Sequence, residues 1–142
     1  MLVQDILKTK TMGIHAIAPD KSVADAAELL TKNKIGSVVV MEVGKLVGIL
    51  SERDIVRSIA ARGGGCLADS VSAVMTREVV TCGRDQTISA VMEMMTQGRF
   101  RHVPVVEGGD VVGVISIGDV VKHRLDETQE EVRQLAAYVA GG

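Results

Sequence analysis

Apolar residues between positions 14 and 61 follow two periods, and together they predict an order of elements. After the cap residue Ser22, apolar residues at offsets 0, 3, 4 and 7 predict one helix face, which consists of Val23, Ala26, Ala27 and Leu30. Continuous apolar runs predict three strands, at 14–18, 37–41 and 46–50. The turn at 43–45 joins the last two strands as a hairpin, and Ser51 opens a second helix that runs to about Ala61. The predicted order is β-α-β-β-α.

The same pattern returns 65 residues later in the chain. Without a gap, residues 15–57 align with residues 80–122, and 12 of the 43 aligned positions are identical. The predicted strands of this second unit lie at 79–82, 103–106 and 111–115. Thr87 is expected to cap a helix that Gly98 ends, with an apolar face of Ile88, Val91, Met92 and Met95. This repetition indicates a tandem duplication of a unit of about 60 residues.

Three segments lie outside the repeated pattern. Short helices are predicted at 3–7 and 67–75, each leading into a unit, and the glycines at 63–65 are typical of a linker. The last helix, from about Gly118, continues through Tyr138 with a heptad-like seam of Val121, Leu125, Thr128, Val132, Leu135 and Val139. This seam either packs back on its own unit or serves contacts between molecules. The predicted domains are a first repeat at 1–62, a linker at 63–66, a second repeat at 67–124 and a helical extension at 125–142.

Composition limits the classes of function. With 142 residues and 46% hydrophobic content the chain can form a real core, which must be aliphatic because Phe100 and Tyr138 are the only aromatic residues. A net charge of −2 and the lack of aromatic platforms argue against nucleic-acid binding. No apolar stretch approaches the roughly 20 residues that cross a bilayer, and the N-terminus lacks signal-peptide features. Cys66 and Cys82 have no metal or redox spacing, so we expect a cytoplasmic protein with reduced thiols and no membrane insertion.

A motif at the start of the last helix of each unit carries the clearest chemistry. In Gly-h-h-Ser-x-x-Asp, where h is aliphatic, a strand ends and a helix begins; the motif places Ser51 with Asp54, and Ser116 with Asp119. Free amides at a helix start favour an anion, the serine can donate to a phosphate or ribose oxygen, and the aspartate can accept from two ribose hydroxyls. The same residues also form a capping box in many proteins. Both interpretations stay open, because duplication copies helix caps as well as binding sites.

The repeated unit, with its Val-Pro-Val strand and its Gly-h-h-Ser-x-x-Asp exit from the hairpin, resembles the cystathionine β-synthase (CBS) domain. The resemblance covers residues 3 to about 124 and indicates a stand-alone tandem pair, a Bateman module. It implies an α/β (α+β) fold of two β-α-β-β-α repeats packed in pseudo-twofold symmetry, here with an extended C-terminal helix. It also implies clefts between the repeats for an adenosine-containing ligand: AMP, ADP, ATP, NAD or S-adenosylmethionine. Similar modules commonly form flat homodimers.

The resemblance also assigns roles to residues at matching positions. The ribose and phosphate positions match Ser51, Asp54, Ser116 and Asp119. Basic or polar residues expected near the phosphates are Lys34, Arg53, Arg99, Arg101 and His102. His102 is either a donor to phosphate or ribose or a surface residue at the end of its strand. The walls of the adenine pocket match Ile14, Ala16, Val38, Val79, Thr81, Val103 and Pro104. The two sets of residues are not identical, so the two clefts should differ in affinity or ligand.

Other chemistry has less support in the sequence. His15, His102 and His123 have no ligand spacing with cysteines or carboxylates, so we expect no metal site and no required cofactor. Neither cysteine lies at a helix start and the motif serines lack an assigned base, so we expect no enzyme. We predict a regulatory module, a homodimer that binds an adenine nucleotide and signals to an unidentified effector protein. The alternatives are a ligand-independent interaction scaffold and a minor enzymatic activity on a bound nucleotide.

Overall fold

The computed structural model describes residues 1–10 and 13–141, and its elements follow the predicted repeat. The first half contains α1 (Val3–Thr9), β1 (Ala16–Ile17), α2 (Val23–Asn33), β2 (Ser37–Glu42), β3 (Lys45–Ser51) and α3 (Glu52–Arg62). A 3-10 helix (Gly64–Ala68) and α4 (Val71–Val74) lead to the second half. The second half contains α5 (Ile88–Gly98), β4 (His102–Glu107), β5 (Asp110–Ser116) and α6 (Ile117–Gly141). The hairpins and the predicted helix caps at Ser22, Ser51 and Thr87 are confirmed.

Each repeat is built on an antiparallel hairpin, and the two hairpins have the same register. In the first, Val39 of β2 pairs with Ile49 of β3. In the second, Pro104 of β4 pairs with Val114 of β5, and both positions lie 65 residues further along. Each hairpin also has a register shift at the same place in its first strand. β1 adds a short parallel strand to the first hairpin, so the described residues form one three-stranded and one two-stranded sheet.

The strand predicted just before α5 does not form, and this prediction is wrong. A single parallel bridge at Cys82 stands where the first repeat has β1. In the first repeat, the Val39 amide donates to the His15 carbonyl at 3.1 Å. The residue at the equivalent position of the second repeat is Pro104, which has no N–H to donate. The strand pairing is shorter there because this one ladder hydrogen bond cannot be made.

Each of the two helices outside the repeats packs on the repeat that it does not precede in the chain. Val3 of α1 is buried in the core of the second repeat, among residues of α5, β4, β5 and α6. Val71 of α4 is buried in the core of the first repeat. The crossings use equivalent backbone bonds: the Val3 amide donates to the Gln86 carbonyl at 2.8 Å, and the Val71 amide donates to the Lys21 carbonyl at 2.7 Å. This exchange of helices joins the two repeats into one pseudo-twofold unit. The domain boundaries given above stay a prediction.

Two local predictions are wrong. The helix predicted at 67–75 is divided into the 3-10 helix and α4, because Asp69 and Ser70 between them have an extended backbone. Gly98 is the last residue of α5 and not its cap. Arg99 caps α5 with a φ of 57°, and Lys34 caps α2 with a φ of 54°. Both basic residues therefore hold a left-handed backbone that residues other than glycine seldom adopt.

The helix α6 departs most from the symmetry of the repeats, with 25 residues against 11 in α3. Val120 and His123 are buried near its start, but every residue from 128 to 141 is exposed. The seam stays exposed as well, with Val132 at 60% and Leu135 at 65%. The alternative that the seam packs back on its own repeat is therefore wrong, and its use between molecules stays a prediction.

Candidate ligand-binding clefts

Two clefts lie between the repeats, and each draws its walls from both of them. The first, called the Asp119 cleft, has a volume of about 570 Å³, and its walls include Ile14, Lys34, Ser37, Ser116 and Asp119. The second, called the Asp54 cleft, has a volume of about 480 Å³, and its walls include Ser51, Arg53, Asp54, Val79 and Arg99. In each cleft a Ser–Asp helix start from one repeat faces a basic C-cap residue from the other. A molecule bound in either cleft would contact both repeats.

The Ser–Asp pairs are helix caps, as one of the two interpretations predicted. Asp54 Oδ2 accepts from the Ser51 amide at 2.9 Å and from the Ser51 hydroxyl at 3.1 Å, while the Asp54 amide donates to Ser51 Oγ at 3.2 Å. Ser116 and Asp119 repeat these three bonds at 2.9, 2.9 and 3.2 Å. The caps use one carboxylate oxygen, and the other can still accept from a ligand. Capping is therefore compatible with a ligand at the same carboxylate.

Asp119 has a further partner that the sequence analysis missed. Lys10 Nζ donates to Asp119 Oδ2 at 2.8 Å and to the Val114 carbonyl at 2.7 Å. Burial alone would raise the pKa of Asp119, but hydrogen bonds from Lys10 and Ser116 outweigh it and hold the pKa below its ordinary value. The carboxylate is therefore ionised and paired. Lys10 belongs to no motif, and only the packing of α1 on the second repeat brings it here.

The Asp54 cleft has a different balance of charge. Within the described residues Asp54 forms no ion pair, and its one donor from beyond the cap is the Thr76 hydroxyl at 3.5 Å. Four arginines line the cleft: Arg53, Arg57, Arg99 and Arg101. None of the four forms an ion pair in the described part of the chain, so their guanidinium groups can bind phosphate. Arg57 was missed, although its spacing of four from Arg53 places both on one face of α3.

His102 lies between the two clefts and lines both of them. Its ring sits against the backbone of the other repeat, since a Cβ added to Gly36 would lie 2.9 Å from His102 Nε2. Burial, followed by the charge of Lys10, lowers the pKa of His102 below its ordinary value, against the opposing effect of Asp119. The imidazole is therefore neutral near pH 7, and it offers a ligand a hydrogen bond without a positive charge.

All the residues predicted for ribose and phosphate line one cleft or the other, but most of those predicted for the adenine walls do not. Ile14 lines the Asp119 cleft and Val79 lines the Asp54 cleft. The residues that line neither cleft are Ala16, Val38, Thr81, Val103 and Pro104. Val38 and Val103 are 1% and 0% exposed, because both faces of β2 and β4 are buried. For these five residues the geometry gives no support to the implied contact with adenine.

Two apolar side chains that the sequence analysis missed line the clefts. Ile35 lines the Asp119 cleft, Phe100 lines the Asp54 cleft, and both are half-buried. They occupy equivalent positions, each directly after the basic C-cap residue of its repeat. Their shared position after the basic residue could have identified both of them in the sequence. The result is an aliphatic surface in the Asp119 cleft and an aromatic ring in the Asp54 cleft.

The described residues give little support to metal binding or to thiol chemistry. The described residues contain no group of three or more His, Cys, Asp or Glu that could hold a metal ion. Among the same residues no helix has the length and apolar character that crossing a membrane requires. Cys66 and Cys82 are free and buried, and burial raises the pKa of Cys82 to about 11. A protonated buried thiol is a poor nucleophile.

Comparison with known proteins identifies the family. A model of the CBS domain matches residues 3–61 and, a second time, residues 71–126. The chain is a pair of CBS domains. The predicted family and fold are thereby confirmed, and the duplication corresponds to the two copies of the domain.

This CBS pair is similar to proteins from plants, bacteria and archaea. It is 33% identical over 149 residues to the mitochondrial CBS domain-containing protein CBSX3 of Arabidopsis thaliana, covering 99% of this chain and 72% of that protein. The crystal structure of ATU1752 from Agrobacterium tumefaciens is 47% identical, with a TM-score of 0.84 over 87% of this chain and 99% of that one. The CBS pair of MJ0100 is 29% identical, with a TM-score of 0.78 over 89% of this chain and 98% of that one. The MJ0100 pair was solved in complex with 5′-methylthioadenosine and S-adenosyl-L-methionine.

Proposed function

We propose that this CBS pair is a regulatory module that senses an adenosine-containing ligand, of the AMP, ADP, ATP, NAD or S-adenosylmethionine class, and signals to a partner protein. The observation that carries the proposal is the construction of the clefts, in which a Ser–Asp helix start faces Lys34 or Arg99 of the other repeat. A ligand with a ribose and a phosphate would satisfy both sides. The adenosyl compounds bound to the related MJ0100 pair support the choice of ligand class.

The main ligand site in this proposal is the Asp54 cleft. Asp54 has no cationic partner among the described residues, so its carboxylate can accept from the two ribose hydroxyls. The arginines on the walls provide bidentate donors for phosphate oxygens. The half-buried Phe100 gives the base an aromatic surface to pack on. Ribose, phosphate and base each have a suitable partner in this cleft.

Signalling would follow from thermodynamic linkage between ligand binding and the arrangement of the two repeats. A ligand that bridges the repeats favours one relative arrangement by the difference in its affinity for the available arrangements. A homodimer would then pass this arrangement to an effector protein through its interface or through α6. The exposed length of α6 supports a role in contacts outside the chain.

The proposal is tested by calorimetric titration of nucleotide-stripped protein with AMP, ADP, ATP, NAD and S-adenosylmethionine. Asp54→Asn removes the carboxylate charge but keeps an oxygen that can cap α3, so it separates ligand contact from folding. We expect it to weaken binding by about tenfold or more, the range of a hydrogen bond to a charged group. Asp110→Asn, at the exposed first residue of β5, is the matched control. Equal binding by wild type and Asp54→Asn would show that the ligand does not bind in the Asp54 cleft. If none of the ligands binds, the sensor function is refuted.

A ligand-independent scaffold is the second candidate, and the exposed seam of α6 favours it. Helix segments as short as residues 128–141 are marginal alone in water, so an apolar stripe there gains from a partner. Sedimentation of stripped protein tests this candidate against Leu135→Asp, which puts a charge in the seam. A dimer that is lost in Leu135→Asp and unchanged by nucleotides favours the scaffold.

The proposal assigns no catalysis to the chain. Asp54 and Asp119 line different clefts, so they do not form a carboxylate pair for acid–base work. Turnover of AMP, ATP or NAD by purified protein, lost in Asp54→Ala or Asp119→Ala, would support the enzymatic alternative. The cytoplasmic location stays a prediction.

A further inference from the structure

We infer that Gly98 is a positioning residue for ligand binding: because it has no side chain, the Phe100 ring can lie in the Asp54 cleft and give that cleft a subsite for an aromatic base. The inference rests on the proposed function, since it concerns how a nucleotide is recognised there. It deepens that function, because it assigns recognition of the base to one ring and the placement of that ring to a glycine outside the duplicated motif.

The Phe100 ring occupies the space in which any other residue at position 98 would hold its Cβ. A Cβ added to Gly98 would overlap Phe100 Cε1 and would lie 2.5 Å from Cδ1 and 3.1 Å from Cζ. Three neighbouring atoms along one side of the ring therefore lie directly against the glycine. A side chain at position 98, even a single methyl group, would force the ring to move.

The backbone conformation of Gly98 does not by itself call for a glycine. Gly98 is the last residue of α5, and it does not adopt the left-handed conformation that four other glycines of the described chain do. Glycine also weakens a helix relative to alanine, because it loses more conformational freedom on folding. The contact with the Phe100 ring is therefore the feature that requires a glycine at this position.

The turn at Arg99 explains why the ring returns to Gly98. Arg99 caps α5 in a left-handed conformation, with φ 57° and ψ 36°, and a residue that follows such a cap commonly packs back on the last turn of its helix. Phe100 is half-buried against the core of the second repeat, and both Gly98 and Phe100 line the Asp54 cleft. The core thus holds the ring in place while part of it stays accessible from the cleft.

The first repeat makes the same turn without this pair of residues. Lys34 caps α2 with φ 54° and ψ 46°, and Ile35 follows it and packs against the core of the first repeat. The residue before the cap is Asn33, whose Nδ2 donates to the Leu29 carbonyl at 2.9 Å. The fold therefore accepts a residue with a Cβ at this position and an aliphatic side chain after the cap. The pair of Gly98 and Phe100 is a feature of the Asp54 cleft and not a requirement of the repeat.

An aromatic ring in a half-buried cleft suits a flat base. Aromatic groups stack on nucleobases through their π-faces, and this contact tolerates differences between bases. The same cleft is lined by the apolar side chains of Ile49, Val79 and Val80. Tyr138 is the only other residue of the Phe, Tyr and Trp class, and it is exposed near the end of α6. Phe100 is therefore the one phenyl ring that a base between the repeats can contact.

The experiment compares AMP with ribose 5-phosphate, which has the same sugar and phosphate but no base. Both are titrated calorimetrically into wild type, Gly98→Ala, Phe100→Leu and the double variant. Phe100→Leu keeps an apolar side chain against the core but removes the ring. Gly65→Ala is the matched control, because a Cβ there would meet open space. Thermal unfolding of each variant verifies that it is folded.

We expect Gly98→Ala and Phe100→Leu each to weaken AMP binding about two- to tenfold, the range of an aromatic contact. Binding of ribose 5-phosphate should not change, and the double variant should bind AMP no more weakly than Phe100→Leu alone. Unchanged AMP binding in Gly98→Ala overturns the inference. Equal weakening of both ligands also overturns it, since the base would then not be involved. Additive losses in the double variant overturn it as well, because Gly98 would then act independently of the ring.

A second measurement observes the contact directly. Phe100 is the only phenylalanine of the chain, so its ring protons can be assigned in an NMR spectrum without ambiguity. In wild type saturated with AMP, we expect nuclear Overhauser effects between this ring and H2 or H8 of adenine, and we expect Gly98→Ala to lose them. Their absence in wild type that binds AMP overturns the inference, whatever the affinity for ribose 5-phosphate.

The same data separate failure of this inference from failure of the proposed function. If wild type binds AMP and Asp54→Asn weakens it, the proposed function stands whatever Gly98→Ala does. If Asp54→Asn binds AMP as tightly as wild type while the effects between adenine and Phe100 are present, the inference stands and the ribose contact of Asp54 fails. Absence of AMP binding in wild type overturns the inference, and the proposed function fails with it only if ADP, ATP, NAD and S-adenosylmethionine do not bind either.

Discussion

The Asp54 and Asp119 clefts share a motif and a capping geometry, yet their carboxylates are in different electrostatic states. In both, the aspartate Oδ2 accepts from the serine amide of its cap at 2.9 Å. Among the described residues, Asp119 is paired with a lysine and Asp54 is not, and that lysine, Lys10, comes from the segment after α1, outside the aligned repeats. Duplication copied the motif, and the neighbouring segments made the two copies different. A repeated motif is therefore evidence for a repeated fold, but not for two equivalent sites.

The basic residues of the two clefts also differ in whether they are paired with carboxylates. In the Asp119 cleft, Arg84 is paired with Glu107 at 2.6 Å and Lys10 is paired with Asp119. In the Asp54 cleft, none of the four arginines has an ion-pair partner among the described residues. The two clefts are similar in their number of basic residues. They differ in how many of these residues are unpaired and can bind a ligand, and that difference favours the Asp54 cleft.

Among these predictions Ile6→Ala should have the largest effect, because it loosens α1, the helix that Lys10 directly follows. Ile6 is 1% exposed in the core of the second repeat, and removing its side chain leaves a cavity there. We expect a loss of about 2–5 kcal/mol in the free energy of unfolding, measured by urea denaturation. Lys8→Ala, at an exposed position of the same helix, should change it by about 0.5 kcal/mol or less. Equal effects of the two substitutions would contradict the packing of α1 on the second repeat.

Gly48→Ala and Gly113→Ala should have smaller and unequal effects, although the two glycines occupy equivalent positions. A Cβ at Gly48 would lie 2.5 Å from Met75 Sδ and 3.0 Å from the Thr76 carbonyl oxygen, which belongs to the backbone bridge. The three atoms nearest to a Cβ at Gly113 all belong to the side chain of Leu7, with its Cδ2 at 2.5 Å. A methyl group can turn away, whereas a bridged carbonyl cannot.

We therefore expect Gly48→Ala to cost about 1–3 kcal/mol of stability and Gly113→Ala clearly less. Paired urea denaturation curves of the two variants and wild type measure the difference. A larger loss in Gly113→Ala would mean that α1 is the more rigid of the two exchanged segments, which is the opposite of what the bridge at Thr76 indicates.

Much of the fold could be predicted from the sequence because local patterns decide it. The alternation of apolar runs with polar turns was enough for both hairpins, and Ser22, Ser51 and Thr87 marked helix starts through their own side chains. The shorter strand pairing in the second repeat could also have been predicted from the sequence. Pro104 stands where Val39 donates a hydrogen bond, and a proline cannot donate one.

The candidate site was harder to predict because it depends on long-range packing. The apolar spacing of α1 identifies a helix, but it does not say that Val3 joins the core of the other repeat. Without that exchange nothing places Lys10 near Asp119, more than 100 positions away in the chain. Burial also depends on packing: Val38 and Val103, which the resemblance assigns to the adenine walls, are buried within β2 and β4 and line neither cleft.

His102 should give the smallest of these effects, and it sharpens the comparison because both clefts share this residue. Burial lowers the pKa of His102 in the folded chain, and the charged groups around it that also shift its pKa are Lys10, Asp119, Arg101 and Asp54. In the unfolded chain a histidine titrates near its ordinary value of about 6.5. Below that pH the unfolded chain binds more protons than the folded one, so stability falls as the pH decreases through 6.5 toward the folded pKa.

His102→Gln removes the titrating imidazole. We expect the variant to lack the loss of stability that wild type shows as the pH falls from about 7 to about 5. Melting temperatures of wild type and variant across that range measure the difference. Above pH 7 the two curves should run parallel. An identical decline in His102→Gln would assign the acid sensitivity to another group. If the decline does belong to His102, its protonation adds a positive charge to both clefts at once. Acidification should then raise phosphate affinity in both clefts.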